Sequence, residues 1–279
     1  MSTAQVGPIE LYYEEHGSGD PLLLIMGFAA DSMAWMFQTP EFGRHFRTIA
    51  FDNRGVGRSS KPAGPYSIAE MADDTAGLLD VLGVARAHVL GVSMGGMIAQ
   101  ELALRHPGRV RGLVLSCTYP EPDEETRAQG VALTQELGGS VGADGQLQMN
   151  PNGLDPMMFF QSILPRVFNP AFIQNELPRL MELFGSALQW GFDVQAIMAQ
   201  AGATMLHRTT DRLHQIKAPT LVITGDCDRL ISPRNSDVLA QHIPGAKLVK
   251  IEGGSHAFNF ETPDVFNRAV LDFLASVSA

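Results

Sequence analysis

The stretch that decides the fold reads Gly91-Val92-Ser93-Met94-Gly95-Gly96. Residues 87–90 before it are mostly apolar and predict a strand, whereas residues 97–104 after it are good helix formers. A serine in such a strand-to-helix turn adopts a strained backbone conformation and exposes its hydroxyl above the sheet. The flanking glycines lack side chains that would collide in so tight a bend. The context therefore predicts a nucleophilic serine at position 93.

Length, charge and cysteine content limit the classes of protein to be considered. The 279 residues suffice for one α/β domain with an insertion, and the net charge of −10 disfavours nucleic-acid or anionic-membrane partners. The longest apolar run, residues 21–30, is too short to span a bilayer, and we see no signal peptide. We therefore expect a cytoplasmic protein. Cys117 and Cys227 form no metal or redox motif by spacing, and we expect both to be reduced.

Strand-like and helix-like segments alternate along most of the chain, which predicts a largely parallel sheet covered by helices on both faces. Ser67 and Glu70 predict a capping box at one helix start. From residue 120 to residue 206 we find helical patches and no convincing strand, so this segment is predicted to be an inserted helical cap. The core domain then comprises residues 1–119 and 207–279. The predicted strands are residues 9–15, 21–26, 47–51, 87–91, 110–116, 219–224 and 246–252.

A serine nucleophile needs a base and an orienting acid. Of the eight histidines, His256 lies in a glycine-containing loop directly after the last predicted strand, where α/β proteins carry their chemistry. Asp226 and Asp228 both follow the preceding strand, and either carboxylate could orient the imidazole. We favour Asp228 and interpret Asp226 as a turn or capping residue.

The oxyanion of the reaction intermediate needs backbone N–H donors. The N–H of Met94 is one candidate, because this residue follows the nucleophile at a helix N-terminus. The N–H of Phe28 is the other, because Gly27-Phe28 begins the loop after an earlier strand.

With these residues assembled, the chain resembles the α/β-hydrolase superfamily over nearly its whole length. The order Ser93, Asp228, His256 matches the superfamily's nucleophile–acid–base order. Residues 52–59, Asp-Asn-Arg-Gly-Val-Gly-Arg-Ser, resemble its D-x-R-G-x-G-x-S turn, which supports the fold rather than the chemistry. The resemblance implies an eight-stranded, mostly parallel sheet with an inserted cap. It also implies an acyl-enzyme, because haloalkane dehalogenases and epoxide hydrolases of this fold use an aspartate where this chain has Ser93.

The sequence thus predicts a serine hydrolase of small-to-medium hydrophobic carboxylic esters that requires no cofactor or metal. A lactonase of the enol-lactone type and a carbon–carbon bond hydrolase remain open with the same residues, and perhydrolysis is a further side activity. The non-enzymatic alternative is a small-molecule receptor that retains the three residues. The partner is a small-molecule ester or lactone, and the sequence does not determine the oligomeric state. We predict a substrate pocket lined by Met33, Trp35, Met158, Phe159, Phe184 and Trp190.

Overall fold

A central eight-stranded sheet organises the computed structural model, which describes residues 2–142, 147–148 and 154–277. A separate two-stranded ladder lies in the segment predicted to be a cap. The strands are β1 (Ser2–Val6), β2 (Ile9–His16), β3 (Pro21–Ile25), β4 (Arg47–Phe51), β5 (Ala87–Val92), β6 (Val110–Ser116), β7 (Ser140–Val141), β8 (Leu147–Gln148), β9 (Thr220–Gly225) and β10 (Lys247–Ile251).

The strand order in the main sheet is β1-β2-β4-β3-β5-β6-β9-β10. β2 pairs antiparallel with both β1 and β4, and every other neighbouring pair is parallel. This arrangement confirms the predicted fold class. Because β5, β9 and β10 run in the same direction, the loops that follow them emerge at one edge of the sheet, where open α/β sheets bind ligands.

Ten α-helices accompany the strands in the described part of the chain. They are α1 (Thr39–Phe42), α2 (Ile68–Val81), α3 (Met94–Arg105), α4 (Glu124–Glu136), α5 (Pro156–Val167), α6 (Pro170–Gln189), α7 (Val194–Leu206), α8 (Arg234–His242), α9 (Phe258–Glu261) and α10 (Pro263–Val277). None of them has both the length and the apolar character that crossing a lipid bilayer requires.

Both faces of the sheet are buried, and β3 shows why its sequence lacks the usual alternation of polar and apolar residues. Leu23 and Ile25 belong to a hydrophobic cluster on one face, whereas Leu22 and Leu24 belong to the cluster on the opposite face. All four side chains are fully buried. Since helices cover both faces, each position of the strand is apolar.

Three local predictions are corrected by the structure. The segment predicted to lack strands contains the β7–β8 ladder, whose two-residue strands are too short to show a period of two. Strand β1 was not predicted because its residues are mostly polar, and pairing with β2 at the sheet edge determines its conformation. At the start of α2, the Ser67 hydroxyl accepts from the Glu70 N–H, but the Glu70 carboxylate pairs with Arg54 instead of completing a capping box.

Candidate active site

Ser93 lies in a sharp turn between β5 and α3 with an unfavourable backbone conformation. Its φ is +57° and its ψ is −121°, a region that residues with a side chain rarely occupy. The Ser93 N–H donates to the carbonyl of Ser116 on β6 at 2.8 Å, which anchors the turn to the sheet. A Cβ at Gly91 would lie 2.2 Å from the Gly95 oxygen, and one at Gly95 would lie 2.0 Å from the Ile25 oxygen. Glycine is therefore required at both positions for steric reasons.

His256 and Asp228 form a buried hydrogen-bonded pair. His256 Nδ1 lies 2.8 Å from Asp228 Oδ2, and both residues are more than nine-tenths buried. The second carboxylate oxygen, Oδ1, accepts from the N–H groups of Leu230 and Ile231, each at 2.9 Å. Because Asp228 is held from both sides, its carboxylate fixes the orientation of the ring and favours a proton on Nδ1.

The competing carboxylate, Asp226, has a different position. Its Oδ1 accepts from the N–H of Gly253 at 2.7 Å, so it links the loop after β9 to the turn after β10. The side chain lies in the exposed part of this loop and hydrogen-bonds a turn. This placement agrees with its interpretation as a turn residue.

The two residues predicted to supply the oxyanion donors lie close to Ser93. Met94 follows it at the start of α3, and Phe28 follows Gly27 in the loop after β3. Gly27 is so close to the serine that an added Cβ would be 3.0 Å from Ser93 Cβ. Phe28, the next residue, lines the same cavity as Ser93. Within residues 2–142, 147–148 and 154–277, the backbone N–H groups of Phe28 and Met94 have no acceptor. Both are therefore available to a ligand oxygen.

The loop that carries Phe28 is held by two buried amide side chains that were not predicted to belong to the site. Gln200 on α7 accepts from the Ala29 N–H at 3.0 Å and donates to the Arg54 carbonyl at 2.7 Å. Asn53 donates to the Met26 carbonyl at 2.9 Å. Gln200 thus connects the segment predicted to be a cap with the loop after β3. A single glutamine on a helix gives no sequence signal for such a role.

A cavity of about 290 Å³ opens onto Ser93 and His256. We call it the large cavity. Its walls come from the loop after β3, from α5 and α6, and from the loop after β10. The predicted pocket residues Met33, Phe159 and Phe184 line it, together with Phe160, Leu180, Leu183 and Phe192.

Three predicted pocket residues do not line this cavity. Trp35 is fully buried in the core because its short 3₁₀ helix turns the ring toward the sheet. Met158 is 49% exposed and lies on the outer side of α5. Trp190 is 39% exposed and stacks with Arg58, whose guanidinium carbon is 5.0 Å from the ring centroid. Residue type alone indicated apolar bulk. The helix faces of Trp35 and Met158, and the position of Trp190 in the turn after α6, decided their environments.

The titratable groups of the large cavity, apart from His256, are acidic. Among the described residues that line it, Asp31 and Asp193 carry carboxylates, and lysine and arginine are absent. The pKa of Asp31 is raised, first by burial and next by the negative charge of Asp52. One Asp31 oxygen accepts from the Met33 N–H at 3.0 Å, and the other has no partner among the described residues. Among its described lining residues, the large cavity therefore offers no lysine or arginine to pair with an anionic substrate.

Cys117 lies behind the histidine–aspartate pair. Its Sγ, an Asp228 oxygen and a His256 nitrogen lie within 4.8 Å of one another. Burial, and next the negative charge of Asp228, raise the pKa of this thiol well above its usual value. A neutral thiol is a poor metal ligand, and the carboxylate is already occupied by hydrogen bonds. This group therefore does not have the donor character of a metal site, and the absence of a metal requirement stays a prediction. Both cysteines are free, and Cys227 is exposed.

Another buried histidine, His207, has an environment that differs from that of His256. Burial, and next the positive charges of Arg212 and Arg208, lower the pKa of His207 to about 3. Its Nε2 lies 3.4 Å from the Thr209 hydroxyl, and it does not line the large cavity. His207 is thus a neutral packing residue, consistent with its omission from the predicted site.

Comparison with known proteins agrees with this architecture. The α/β-hydrolase fold family model matches residues 20–263. A relative from Azorhizobium caulinodans, provisionally named carbamate hydrolase RutD, is 33% identical over 277 residues, which cover 99% of both chains. The enol-lactonase from Burkholderia xenovorans superposes with a TM-score of 0.84 at 28% identity, covering 98% of this chain and 100% of the other. A thermophilic esterase from Thermogutta terrifontis superposes with a TM-score of 0.84 at 27% identity, covering all of both chains. The chain therefore belongs to the α/β-hydrolase fold family, and it is a hydrolase.

Proposed function

We propose that this hydrolase cleaves carboxylic esters through an acyl-enzyme formed on Ser93. The observation that carries the proposal is the cavity shared by Ser93, in its strained turn, and His256, whose Nδ1 is hydrogen-bonded to the buried Asp228. A bond to Asp228 through Nδ1 leaves Nε2 as the nitrogen that can accept the serine proton.

The reaction proceeds in two halves. Ser93 Oγ attacks the acyl carbonyl while His256 accepts its proton, and the N–H groups of Phe28 and Met94 donate to the oxyanion. His256 then returns the proton to the alcohol oxygen as the carbon–oxygen bond breaks. A water molecule, deprotonated by the same imidazole, attacks the acyl-enzyme. The imidazolium then returns the proton to Ser93 Oγ as the bond to the acyl carbon breaks and the acid leaves. Asp228 stabilises the imidazolium in both halves.

The lining of the large cavity supports a neutral, hydrophobic substrate. Aromatic and aliphatic side chains dominate its wall, and its described lining residues include no lysine or arginine that could pair with an anionic ligand. The name of the Azorhizobium caulinodans relative suggests carbamates as another substrate class. The unsubstituted carbamate is small and polar, so it would leave much of an apolar cavity of about 290 Å³ unfilled. We therefore favour esters. We also propose that residues 120–206 form the cap that determines this specificity, within the boundaries given by the sequence.

A lactonase is the second candidate. The similarity to the Burkholderia xenovorans enol-lactonase supports it, and a lactone uses the same attack and proton transfers. The two candidates differ only in whether the alcohol leaves or remains attached to the acyl group. Competition between simple esters and enol-lactones for the same enzyme distinguishes them.

The test uses p-nitrophenyl esters of increasing acyl length with the native protein and the Ser93→Ala variant. We expect a pre-steady-state burst and turnover in the native protein, and a loss of kcat of at least about 10⁴-fold in the variant. A fluorophosphonate should label one serine, which mass spectrometry of the peptides should identify as Ser93. Ser67→Ala serves as the control, because Ser67 caps α2 away from the cavity.

Two outcomes contradict the proposal. Equal activity of the native protein and Ser93→Ala would show that Ser93 is not the nucleophile. Acylation without release of the acid would favour the receptor that retains these residues.

A further inference from the structure

Ser93 also lines a second cavity. It measures about 130 Å³ and lies between α4 and α7, and we call it the small cavity. The two helices approach closely, since a Cβ added at Gly130 on α4 would be 3.3 Å from Met205 Sδ on α7. Described residues that line both cavities are Phe28, Ser93, Phe159, Ile163, Ile197 and Leu230.

An aromatic pair separates the two cavities. The rings of Phe28 and Phe159 meet edge to face with centroids 6.0 Å apart, and both residues line both cavities. Phe159 also packs against Phe192 at a centroid distance of 5.6 Å and belongs to an apolar cluster with Leu137 and Leu154. This packing holds the Phe159 ring in place. The space around Ser93 is thus divided into two compartments.

The chemistry of the two compartments is not equivalent. His256 lines the large cavity, whereas Met94, whose N–H is a proposed oxyanion donor, lines the small cavity. The imidazole must reach the alcohol oxygen to protonate it as it leaves. The alcohol portion of the ester therefore lies on the side of His256, and the acyl substituent lies on the opposite side of the carbonyl.

We infer that the small cavity binds the acyl chain and the large cavity binds the alcohol. The substrate class is then an ester of a short apolar acid with a bulkier apolar alcohol, because the small cavity has less than half the volume of the large one. This inference rests on the proposed ester hydrolysis and adds the orientation of the substrate to it. Ala201 and Met205 on α7 are the residues that limit acyl length, since both line the small cavity and neither lines the large one.

The experiment compares two ester series in a pH-stat assay. Ethyl esters of acids with two to eight carbons vary the acyl group, and acetates of alcohols with two to eight carbons vary the alcohol. Ala201→Leu fills the small cavity and should lower kcat/KM for ethyl hexanoate about tenfold while leaving hexyl acetate within about twofold. Met205→Ala enlarges the same cavity and should shift the acyl optimum to longer chains. Leu183→Phe, which fills the large cavity, is the matched control and should affect the alcohol series.

The outcomes separate this inference from the proposed function. If Ala201→Leu and Met205→Ala change the alcohol series, or change both series equally, the assigned orientation is wrong. If the native protein hydrolyses neither series and Ser93 resists the fluorophosphonate, the proposed function itself fails. Since Ala201→Leu and Met205→Ala alter the cavity in opposite directions, a folding defect in one leaves the other to decide.

Discussion

Replacement of Asp228 by asparagine tests how the site controls the protonation of His256. In the native protein, Asp228 Oδ1 accepts from the N–H groups of Leu230 and Ile231, and Oδ2 accepts from His256 Nδ1. Asparagine offers one carbonyl oxygen and one amide nitrogen to these three donors. In one orientation its oxygen retains both backbone bonds and its nitrogen faces the imidazole.

The backbone donors select this orientation. The reverse orientation would leave the two buried N–H groups of Leu230 and Ile231 without acceptors, at a cost of about 1–3 kcal/mol each. With the amide nitrogen toward His256, Nδ1 must act as an acceptor, and the ring proton moves to Nε2. That nitrogen can then no longer accept the proton of Ser93. A wrong tautomer of this kind lowers kcat about 10⁴-fold, which corresponds to about 5 kcal/mol of transition-state stabilisation.

The assay measures kcat and KM for a p-nitrophenyl ester in the native protein, Asp228→Asn and Asp226→Asn. Asp226→Asn is the matched control, because the same substitution occurs two residues away and asparagine can still accept from the Gly253 N–H. We expect kcat of the control to stay within about twofold of the native value. Thermal unfolding of each variant establishes that it is folded.

Two results would refute this reasoning. One is a folded Asp228→Asn protein that keeps a tenth or more of the native kcat. Its loss would then be about tenfold at most, and not the expected 10⁴-fold. The other is an equal loss of activity in Asp226→Asn, which would mean that the loop as a whole, and not the histidine tautomer, limits the reaction.

Two further predictions concern the surroundings of the site. Gln200→Leu removes the hydrogen bonds to the Ala29 N–H and the Arg54 carbonyl. We therefore expect the free energy of unfolding, measured by urea denaturation, to fall by about 2–4 kcal/mol. In steady-state kinetics, kcat should fall by a larger factor than KM rises. Burial lowers the pKa of His207 to about 3 in the folded protein. Below about pH 6.5, His207 therefore binds a proton in the unfolded chain but not in the folded protein. The free energy of unfolding consequently decreases as the pH falls toward 3. His207→Gln should reduce the loss of unfolding free energy between pH 6.5 and pH 4 by about 3 kcal/mol. An unchanged pH profile would contradict the neutral, buried state of this ring.

The local predictions that the structure confirms concern segments in which the side-chain pattern and the backbone requirements indicate the same element. Strands β4 and β6 begin and end at the predicted residues, because each contains a run of apolar residues that is buried in a sheet covered on both faces. The strand-to-helix turn at Ser93 was equally clear. Pocket residues were harder to predict, since Trp35 and Trp190 are apolar whether they face the core, the solvent or a ligand.

The sequence by itself determined the fold class, the positions of most strands and the residue types needed for hydrolysis, because these depend on local periodicity, glycine sterics and motif order. The tertiary structure alone decided which groups meet. It paired His256 with Asp228 and gave Asp226 to a turn, it connected Gln200 to the loop of Phe28, and it divided the space around Ser93 with an aromatic pair. Such contacts join residues far apart in the chain, and the direction of each side chain depends on the packing of whole elements, which short-range sequence patterns do not encode.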